Sequence, residues 1–279
     1  MSREATGAGR TGESGAAVSR IREAFESLRR EGRRGFIPYI TAGDPDLETT
    51  RALIVELARA GATLIELGVP FSDPVADGPT IQRASERALR HGFGLADVLQ
   101  TLADARAHAD VPVILFSYFN PLLQFGVERL AREARSAGAQ GVLATDLVPE
   151  ESADFNATLA RQGLDQIFLV APTTSDARLR LIAERAGGFI YAVSRAGVTG
   201  ARERMSAEAE RLVARVRQVS DLPVAVGFGI STREQVADVW RYADAAVVGS
   251  AIVAEIERNG GAPDLVARVG AFARSLLPE

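Results

Sequence analysis

Three carboxylates stand close together in the segment IELGVPFSDPVADGPT, which begins at residue 65. Glu66 lies inside an apolar run, and Asp73 and Asp77 follow in a loop punctuated by proline and glycine. Burial disfavours the charged form of a carboxyl group, so we expect the pKa of Glu66 to be raised, as a general acid requires. Asp77, on a more exposed loop, is expected to stay ionised and to act as an electrostatic anchor. Alternatively, Glu66 binds loop amides and the aspartates cap a helix that begins near Pro79.

Small-residue turns follow the late apolar runs, in SRAGVTGAR from 194, GFGIST from 227 and GSAIV from 249. Glycine lets backbone amides approach a ligand closely, and the start of a following helix adds partial positive charge. Such turns can hold a phosphate without any lysine. Gly229, Gly249 and Ser250, together with Gly200, are therefore predicted to bind phosphate. Alternatively, each glycine only permits a tight turn.

The composition of the chain excludes several kinds of catalysis. There is no cysteine, there are two histidines, and all 32 basic residues are arginine. Without lysine, Schiff-base chemistry and covalent attachment of pyridoxal are excluded, and without cysteine there is no thiol nucleophile. A histidine-rich zinc site is also unfavoured. We therefore predict chemistry by carboxylates, hydroxyls and backbone groups, with no cofactor and no metal.

Charge and hydropathy argue against nucleic acid and membrane as partners. The formal net charge is -4, and acidic and basic residues are interleaved along the chain. No stripe of positive potential therefore indicates a nucleic acid. No apolar run approaches the roughly 18 residues of a membrane span, and the first residues lack the apolar core of a secretion signal. We expect a cytoplasmic protein.

Short apolar runs alternate with longer amphipathic ones along most of the chain. The short runs are FIPYIT at 36, TLIEL at 63, PVILF at 112, GVLAT at 141, QIFLVA at 166, FIYAV at 189, PVAVG at 223 and AAVVG at 245. Strands separated by helices pair in parallel, because a parallel connection needs a crossover. Eight such units predict a (β/α)8 TIM barrel, with its active site at the carboxyl ends of the strands. The alternative is a doubly wound open sheet, but the first junction, ITAGDPDLE, has no G-x-G-x-x-G fingerprint.

The barrel is predicted to form a single catalytic domain over residues 18 to 279, preceded by a flexible tail over residues 1 to 17. The tail is rich in Gly, Ser, Thr and Arg and has no periodic apolar pattern. Ile21, Phe25 and Leu28 then recur at helical spacing. This spacing predicts an extra helix ahead of the first strand.

Single polar side chains also stand near the carboxyl ends of the apolar runs, where barrels carry their active sites. They are Tyr39, Thr41, Tyr118, Asn120, Asp146, Thr173 and Tyr191. Each is more often structural than catalytic, so residue type and position alone assign no role to them.

The sequence resembles the α subunit of tryptophan synthase over roughly residues 18 to 276. The segments that carry the resemblance, in order and spacing, are PYITAGDPD, IELGVPFSDPVADGPTIQ, SYFNPLLQFG, SRAGVTG, GFGIST and GSAIV. The resemblance implies retro-aldol cleavage of indole-3-glycerol phosphate to indole and glyceraldehyde 3-phosphate. It also implies that Glu66 moves protons at indole C3 and at the substrate hydroxyl, that Asp77 holds the indole N–H, and that Tyr191 assists at the hydroxyl.

The resemblance extends to substrate-binding residues and to a protein partner. The phosphate site that it implies comprises Gly200, Phe228, Gly229, Gly249 and Ser250. The residues that it places along the pocket or its lid are Phe116, Tyr118 and Thr199. The family works with a pyridoxal-phosphate β subunit in an α2β2 tetramer, and the loops around Asp73 and Asp146 would face that subunit. Val148, where the family usually has proline, and the long N-terminal tail are departures from the pattern.

Three other functions compete with this interpretation. One is a stand-alone lyase that releases indole without a partner, which the sequence hardly separates from a synthase subunit. Another is an allosteric subunit that binds a phosphate ligand and has lost its chemistry. The last is a different phosphosugar isomerase or aldolase on the same barrel. Glu66 together with Asp77 favours the lyase, because a binding module needs no buried carboxylate beside its ligand.

Overall fold

Eight parallel strands close into a barrel in the order β1 to β8 in the computed structural model, which describes residues 19–193, 202–227 and 229–278. The strands are β1 Gly35–Thr41, β2 Ile65–Gly68, β3 Val113–Ser117, β4 Gly141–Ala144, β5 Asp165–Val170, β6 Ile190–Val193, β7 Val224–Gly227 and β8 Ala245–Val248. Each falls on one of the eight predicted apolar runs, and β1 pairs with β8 to complete the ring. The predicted (β/α)8 architecture is confirmed. The predicted tail, residues 1 to 17, lies outside the described residues.

Twelve α-helices and one 3-10 helix, Pro149–Glu151, surround the barrel in the described part of the chain. The α-helices are α1 Arg20–Arg30, α2 Leu47–Arg59, α3 Pro79–Leu89, α4 Leu95–Arg106, α5 Phe119–Phe125, α6 Val127–Ala137, α7 Ala153–Arg161, α8 Asp176–Arg185, α9 Arg202–Arg217, α10 Arg233–Trp240, α11 Ser250–Arg258 and α12 Leu265–Ser275. None of these helices is long and apolar enough to cross a membrane.

Helix α1 is the predicted extra helix, and its apolar face packs into the barrel interior. Ile21, Phe25 and Leu28 are buried in one cluster with inward-facing strand residues such as Phe189. The helix begins at the Ser19 N-cap, whose hydroxyl accepts a hydrogen bond from the backbone N–H of Arg22. A hydrophobic stripe at helical spacing thus fills the end of the barrel opposite the predicted active site.

The alternation of side chains along the strands determines which residues reach the barrel mouth. Tyr39 on β1 is in register with Glu66 on β2. Because successive strand residues point to opposite faces, the outward neighbours, such as Ile40 and Leu67, pack against the surrounding helices. The inward set continues with Phe116 on β3, so aromatic rings and a carboxyl group face the same end of the barrel interior.

Two strand glycines make room for tyrosine rings inside the barrel. A Cβ atom at Gly68 would lie 2.1 Å from the hydroxyl oxygen of Tyr39. A Cβ atom at Gly227 would lie 2.2 Å from the hydroxyl oxygen of Tyr191. Both tyrosine rings therefore cross over a neighbouring strand at a point where only glycine fits, and this close approach determines where their hydroxyl groups lie.

Candidate active site

A cavity of about 310 Å³ opens at the carboxyl ends of the strands. Its lining residues are Tyr39, Glu66, Ala76, Asp77, Gly78, Pro79, Thr80, Ile81, Phe116, Tyr191, Gly229, Val247, Gly249 and Ser250. The structure thus brings together seven of the predicted site residues: Glu66, Asp77, Phe116, Tyr191, Gly229, Gly249 and Ser250. A concave, mostly apolar pocket with a few polar groups is typical of small-molecule sites.

Glu66 is buried in the wall of this pocket, with only 1% of its surface exposed. Its Oε1 atom has no hydrogen-bond partner, so that atom does not bind loop amides. Burial raises the pKa of Glu66 well above its ordinary value, because removing water disfavours the charged form. The group is therefore suited to carry a proton at neutral pH and to present an unoccupied acceptor atom to a ligand.

Asp77 lies in the loop between β2 and α3 and is half-buried. Burial raises its pKa to about 6, against the opposing effect of a hydrogen bond with the Tyr118 hydroxyl. Asp77 is therefore more exposed than Glu66, and a pKa of about 6 leaves its carboxyl mostly ionised at neutral pH. Asp77 does not cap α3, because the N-cap is Gly78 and no side chain caps that position.

Tyr118, which the resemblance places along the pocket or its lid, is not among the residues that line the cavity and instead holds the Asp77 loop. Its hydroxyl oxygen accepts a hydrogen bond from the backbone N–H of Ala76 at 2.9 Å. Its ring lies 5.2 Å from the ring of Phe71, measured between centroids. Both contacts tie β3 to the loop that carries Asp77, so Tyr118 acts on the site by positioning this loop.

The aromatic wall of the pocket includes Tyr39, a residue to which the sequence assigned no role. Its ring meets the ring of Phe116 edge-on, with 5.4 Å between centroids, and its hydroxyl lies 3.3 Å from the hydroxyl of Thr41. Burial raises the pKa of both Tyr39 and Tyr191, so both hydroxyls are protonated and can donate hydrogen bonds. Tyr39 and Glu66 are partners on adjacent strands, and both side chains point into the barrel. This pairing was the signal that could have identified Tyr39.

The other end of the pocket is formed by glycine turns and a helix start. Gly249 is the N-cap of α11 and provides no side-chain cap, and Ser250 is the first helical residue. The first backbone N–H groups of a helix have no partner within it and favour an anion. Gly229, with a φ of 72°, lines the same end. Thr199, Gly200 and Phe228, which the resemblance places here, lie outside the described residues.

The two predicted partner-facing aspartates lie outside the pocket and are exposed. The Asp73 carboxylate accepts a hydrogen bond from the Ser72 hydroxyl at 2.6 Å. The Asp146 carboxylate accepts one from the backbone N–H of Phe119, the first residue of α5, also at 2.6 Å. Asp146 therefore satisfies a free donor at the start of a helix. Within the described ranges, no group of three or more His, Asp or Glu side chains could hold a metal ion.

Fold and pocket together define a (β/α)8-barrel enzyme with carboxyl groups in its catalytic mouth. The comparison with protein families narrows this class, because the model described as "Tryptophan synthase alpha chain" matches residues 25–276. The chain belongs to the tryptophan synthase alpha chain family. It is accordingly a lyase of tryptophan biosynthesis that cleaves indole-3-glycerol phosphate to indole and glyceraldehyde 3-phosphate.

Individual relatives agree with this assignment along nearly the whole chain. The tryptophan synthase alpha chain of Solibacter usitatus is 48% identical over 259 residues, which cover 93% of this chain and 97% of the relative. The tryptophan synthase alpha chain of Geobacter sulfurreducens is 49% identical over an alignment that covers 93% of this chain and 98% of the relative. Among solved structures, tryptophan synthase subunit alpha from Legionella pneumophila superposes with a TM-score of 0.87 at 40% identity, covering 93% of this chain and 97% of that one. Tryptophan synthase from M. tuberculosis in its aminoacrylate-bound form superposes with a TM-score of 0.82 at 39% identity, covering 93% of this chain and 100% of that one.

The burial of Glu66 leads to a prediction for stability. In the unfolded chain Glu66 has a pKa of 4.5, whereas in the folded protein it keeps its proton to higher pH. Wild-type stability should therefore fall as the pH rises from 4.5 towards the raised folded pKa, a loss that Glu66→Gln, which does not titrate, avoids. We expect thermal unfolding midpoints of the variant and the wild type to separate increasingly as the pH rises above 4.5, with the variant more stable. Glu133→Gln, at a surface site, controls for the substitution itself, and a pH-independent difference for Glu66→Gln would contradict the prediction.

Proposed function

We propose that the pocket binds indole-3-glycerol phosphate with its indole ring beside Glu66 and Asp77 and its phosphate at the start of α11. Residues 18 to 279 would act as one catalytic domain. The observation that carries this proposal is the pairing, in one cavity, of a fully buried carboxyl that has an unpartnered Oε1 atom with a half-buried one. The apolar and aromatic lining around them suits an indole ring.

Glu66 can supply both proton transfers of the cleavage. In its neutral form it donates a proton to indole C3, which leaves the ring as an iminium and Glu66 as a carboxylate. The carboxylate then takes the proton from the hydroxyl on the carbon attached to C3. As that oxygen becomes the aldehyde, the carbon–carbon bond breaks and its electron pair returns to the ring. Indole and glyceraldehyde 3-phosphate form, and Glu66 ends as it began, protonated.

Asp77 and Tyr191 would support these two steps. A carboxylate beside the indole N–H accepts its hydrogen bond and stabilises the positive charge that builds on the ring. A pKa of about 6 keeps Asp77 charged for this role at neutral pH. Tyr191 carries a buried, protonated hydroxyl in the same wall. We assign it to a hydrogen bond with the substrate hydroxyl, which orients that hydroxyl for Glu66.

The phosphate would be bound by backbone groups. The start of α11 at Gly249 and Ser250 presents free N–H groups towards an anion, and Gly229 allows a second turn to approach closely. This arrangement suits a chain that has no lysine. By resemblance, Gly200 and Phe228 complete the phosphate site and Thr199 belongs to the lid.

The partner that we propose is a pyridoxal-phosphate-dependent β subunit, in an α2β2 tetramer. Three large apolar side chains are exposed after adjacent strands on the catalytic face: Val75 after β2, Leu123 after β3 and Val148 after β4, with 88%, 52% and 37% of their surfaces exposed. Exposed apolar side chains grouped on one face are typical of a protein interface. Asp73 and Asp146 lie in the same loops, so this face would receive the β subunit.

The catalytic assignment predicts the effect of removing each carboxyl. Glu66→Gln should lower kcat for indole release from indole-3-glycerol phosphate by about 10² to 10⁴-fold, since both proton transfers are lost. Asp77→Asn should lower it by about 10² to 10³-fold through lost charge stabilisation. The control Glu133→Gln, on the outer helix α6, should retain wild-type rates. Wild-type protein that binds the substrate without cleaving it would instead indicate a binding subunit.

The partner assignment predicts that a charge placed in the exposed apolar surface weakens the complex. We expect Leu123→Asp to raise the Kd for the cognate β subunit by about tenfold or more and to reduce its stimulation of indole release. Leu89→Asp, at a comparably exposed leucine at the end of α3, serves as the matched control and should bind normally. Calorimetric titration of each variant with the β subunit measures the two Kd values. Fast cleavage that no β subunit stimulates would favour a stand-alone lyase.

A further inference from the structure

Four charged side chains form a cluster outside the pocket, here called the Arg87 cluster: Asp44, Arg83, Arg87 and Glu257. Nε and Nη2 of Arg87 donate to the two carboxylate oxygens of Asp44 at 2.8 Å each, and Nη1 donates to Oε1 of Glu257 at 2.7 Å. Arg83 donates from Nε and Nη2 to Oε1 and Oε2 of Glu257 at 2.8 and 2.7 Å. The pocket lining and the reaction steps proposed above use none of these residues.

The cluster joins three neighbouring units of the barrel. Asp44 lies in the turn after β1, the two arginines lie on α3 after β2, and Glu257 lies on α11 after β8. β1 pairs with both β2 and β8. The ion pairs therefore tie two helices to each other and to the turn between them.

An apolar layer lies between the cluster and the pocket mouth. Ala84 of α3 and Val253 of α11 are fully buried against Tyr39, with Ile81 packed beside them. Glu257 follows Val253 by four residues and therefore shares its helix face. Arg87 follows Ala84 by three and shares its face in the same way. The cluster thus backs the packing of α3 and α11 on Tyr39, which itself lines the pocket.

The same two helices begin at opposite ends of the proposed substrate. Helix α3 begins at Pro79, two residues after Asp77, and α11 begins at Ser250. Both starts line the pocket. A displacement of one helix relative to the other would therefore change the distance between the carboxylate proposed for the indole and the turn proposed for the phosphate.

The geometry of the cluster is better suited to orienting α3 and α11 than to stabilising the fold. Asp44 is 1% exposed, but the side chains of Arg87 and Glu257 are 25% and 31% exposed, and ion pairs open to solvent stabilise a fold only slightly. Paired N–H donors on a carboxylate nevertheless restrict direction as well as distance. The hydrogen bond from Arg83 lowers the pKa of Glu257 to about 2, so Glu257 stays ionised at neutral pH.

We propose that Arg87 and Glu257 are positioning residues that set the spacing between the Asp77 loop and the start of α11. This proposal rests on the substrate orientation given under "Proposed function". It assigns to the cluster a role in matching the pocket to the length of an intact substrate, whose indole and phosphate must be held at the same time. Neither residue touches the substrate.

The test compares intact substrate with its separate halves in Glu257→Gln, which removes the negative charge that both arginines bind and leaves the buried Asp44–Arg87 pair in place. We expect kcat/KM for indole-3-glycerol phosphate to fall by about 10 to 10²-fold, the effect of a misplacement on the order of 1 Å. The product-inhibition constants of indole and of glyceraldehyde 3-phosphate, each measured alone, should stay within about twofold, because each product needs one end of the pocket only. Arg274→Gln, which breaks the 2.8 Å pair between α12 and Glu56 of α2, is the control and should match the wild type.

The outcomes separate the two proposals. Wild-type protein that does not cleave the substrate would overturn the proposed function and the positioning role together. An active wild type with an equally active Glu257→Gln variant, or a variant that weakens both products as much as the intact substrate, would overturn the positioning role alone. Circular dichroism verifies folding. If Glu257→Gln does not fold, the same comparison is made with Arg83→Gln. That variant removes one of the two arginine contacts and should show a smaller effect in the same direction.

Discussion

The desolvation of one carboxyl group is the constraint on which the rest of this structure depends. Glu66 is 1% exposed and has an oxygen without a hydrogen-bond partner, so its ionised form is costly and its proton is held tightly. The closed barrel produces this environment, because the register of β2 with β1 and β3 places Glu66 beside Tyr39 and Ile114 in the barrel interior. The apolar strands that stabilise the fold therefore also raise the pKa of the acid.

A neutral acid is useful only if a charged group stands near it in a different environment. Asp77 meets this need because it lies on a loop and not in a strand, which leaves its pKa at about 6. A loop is less rigid than a strand, and this one is restrained on both sides of Asp77. Tyr118 holds its backbone at Ala76, and α3 continues from it to Arg87, which is bound to Asp44 and Glu257. Rigidity in the strand and restraint in the loop together position the two carboxyl groups.

The strands, the extra N-terminal helix and the burial of Glu66 could be predicted from the sequence, because each is encoded by the local pattern of apolar residues. The function of Tyr118 as a restraint on the loop and the place of Tyr39 in the pocket wall were not predicted, since they depend on which strands become neighbours. The Arg87 cluster was also missed. Its pairs join residues 43 and 170 positions apart, and in a chain with 32 arginines no spacing distinguishes this one.

The protonation state of Glu66 is the most direct test of the central claim that burial keeps this carboxyl neutral. It can be read from the infrared difference spectrum of the wild type minus Glu66→Gln at neutral pH, without substrate. We predict the carbonyl stretch of a protonated carboxylic acid, persisting as the pH is raised above neutrality. The symmetric and antisymmetric bands of a carboxylate at neutral pH would contradict the account, because Glu66 could then not be the proton donor to indole C3.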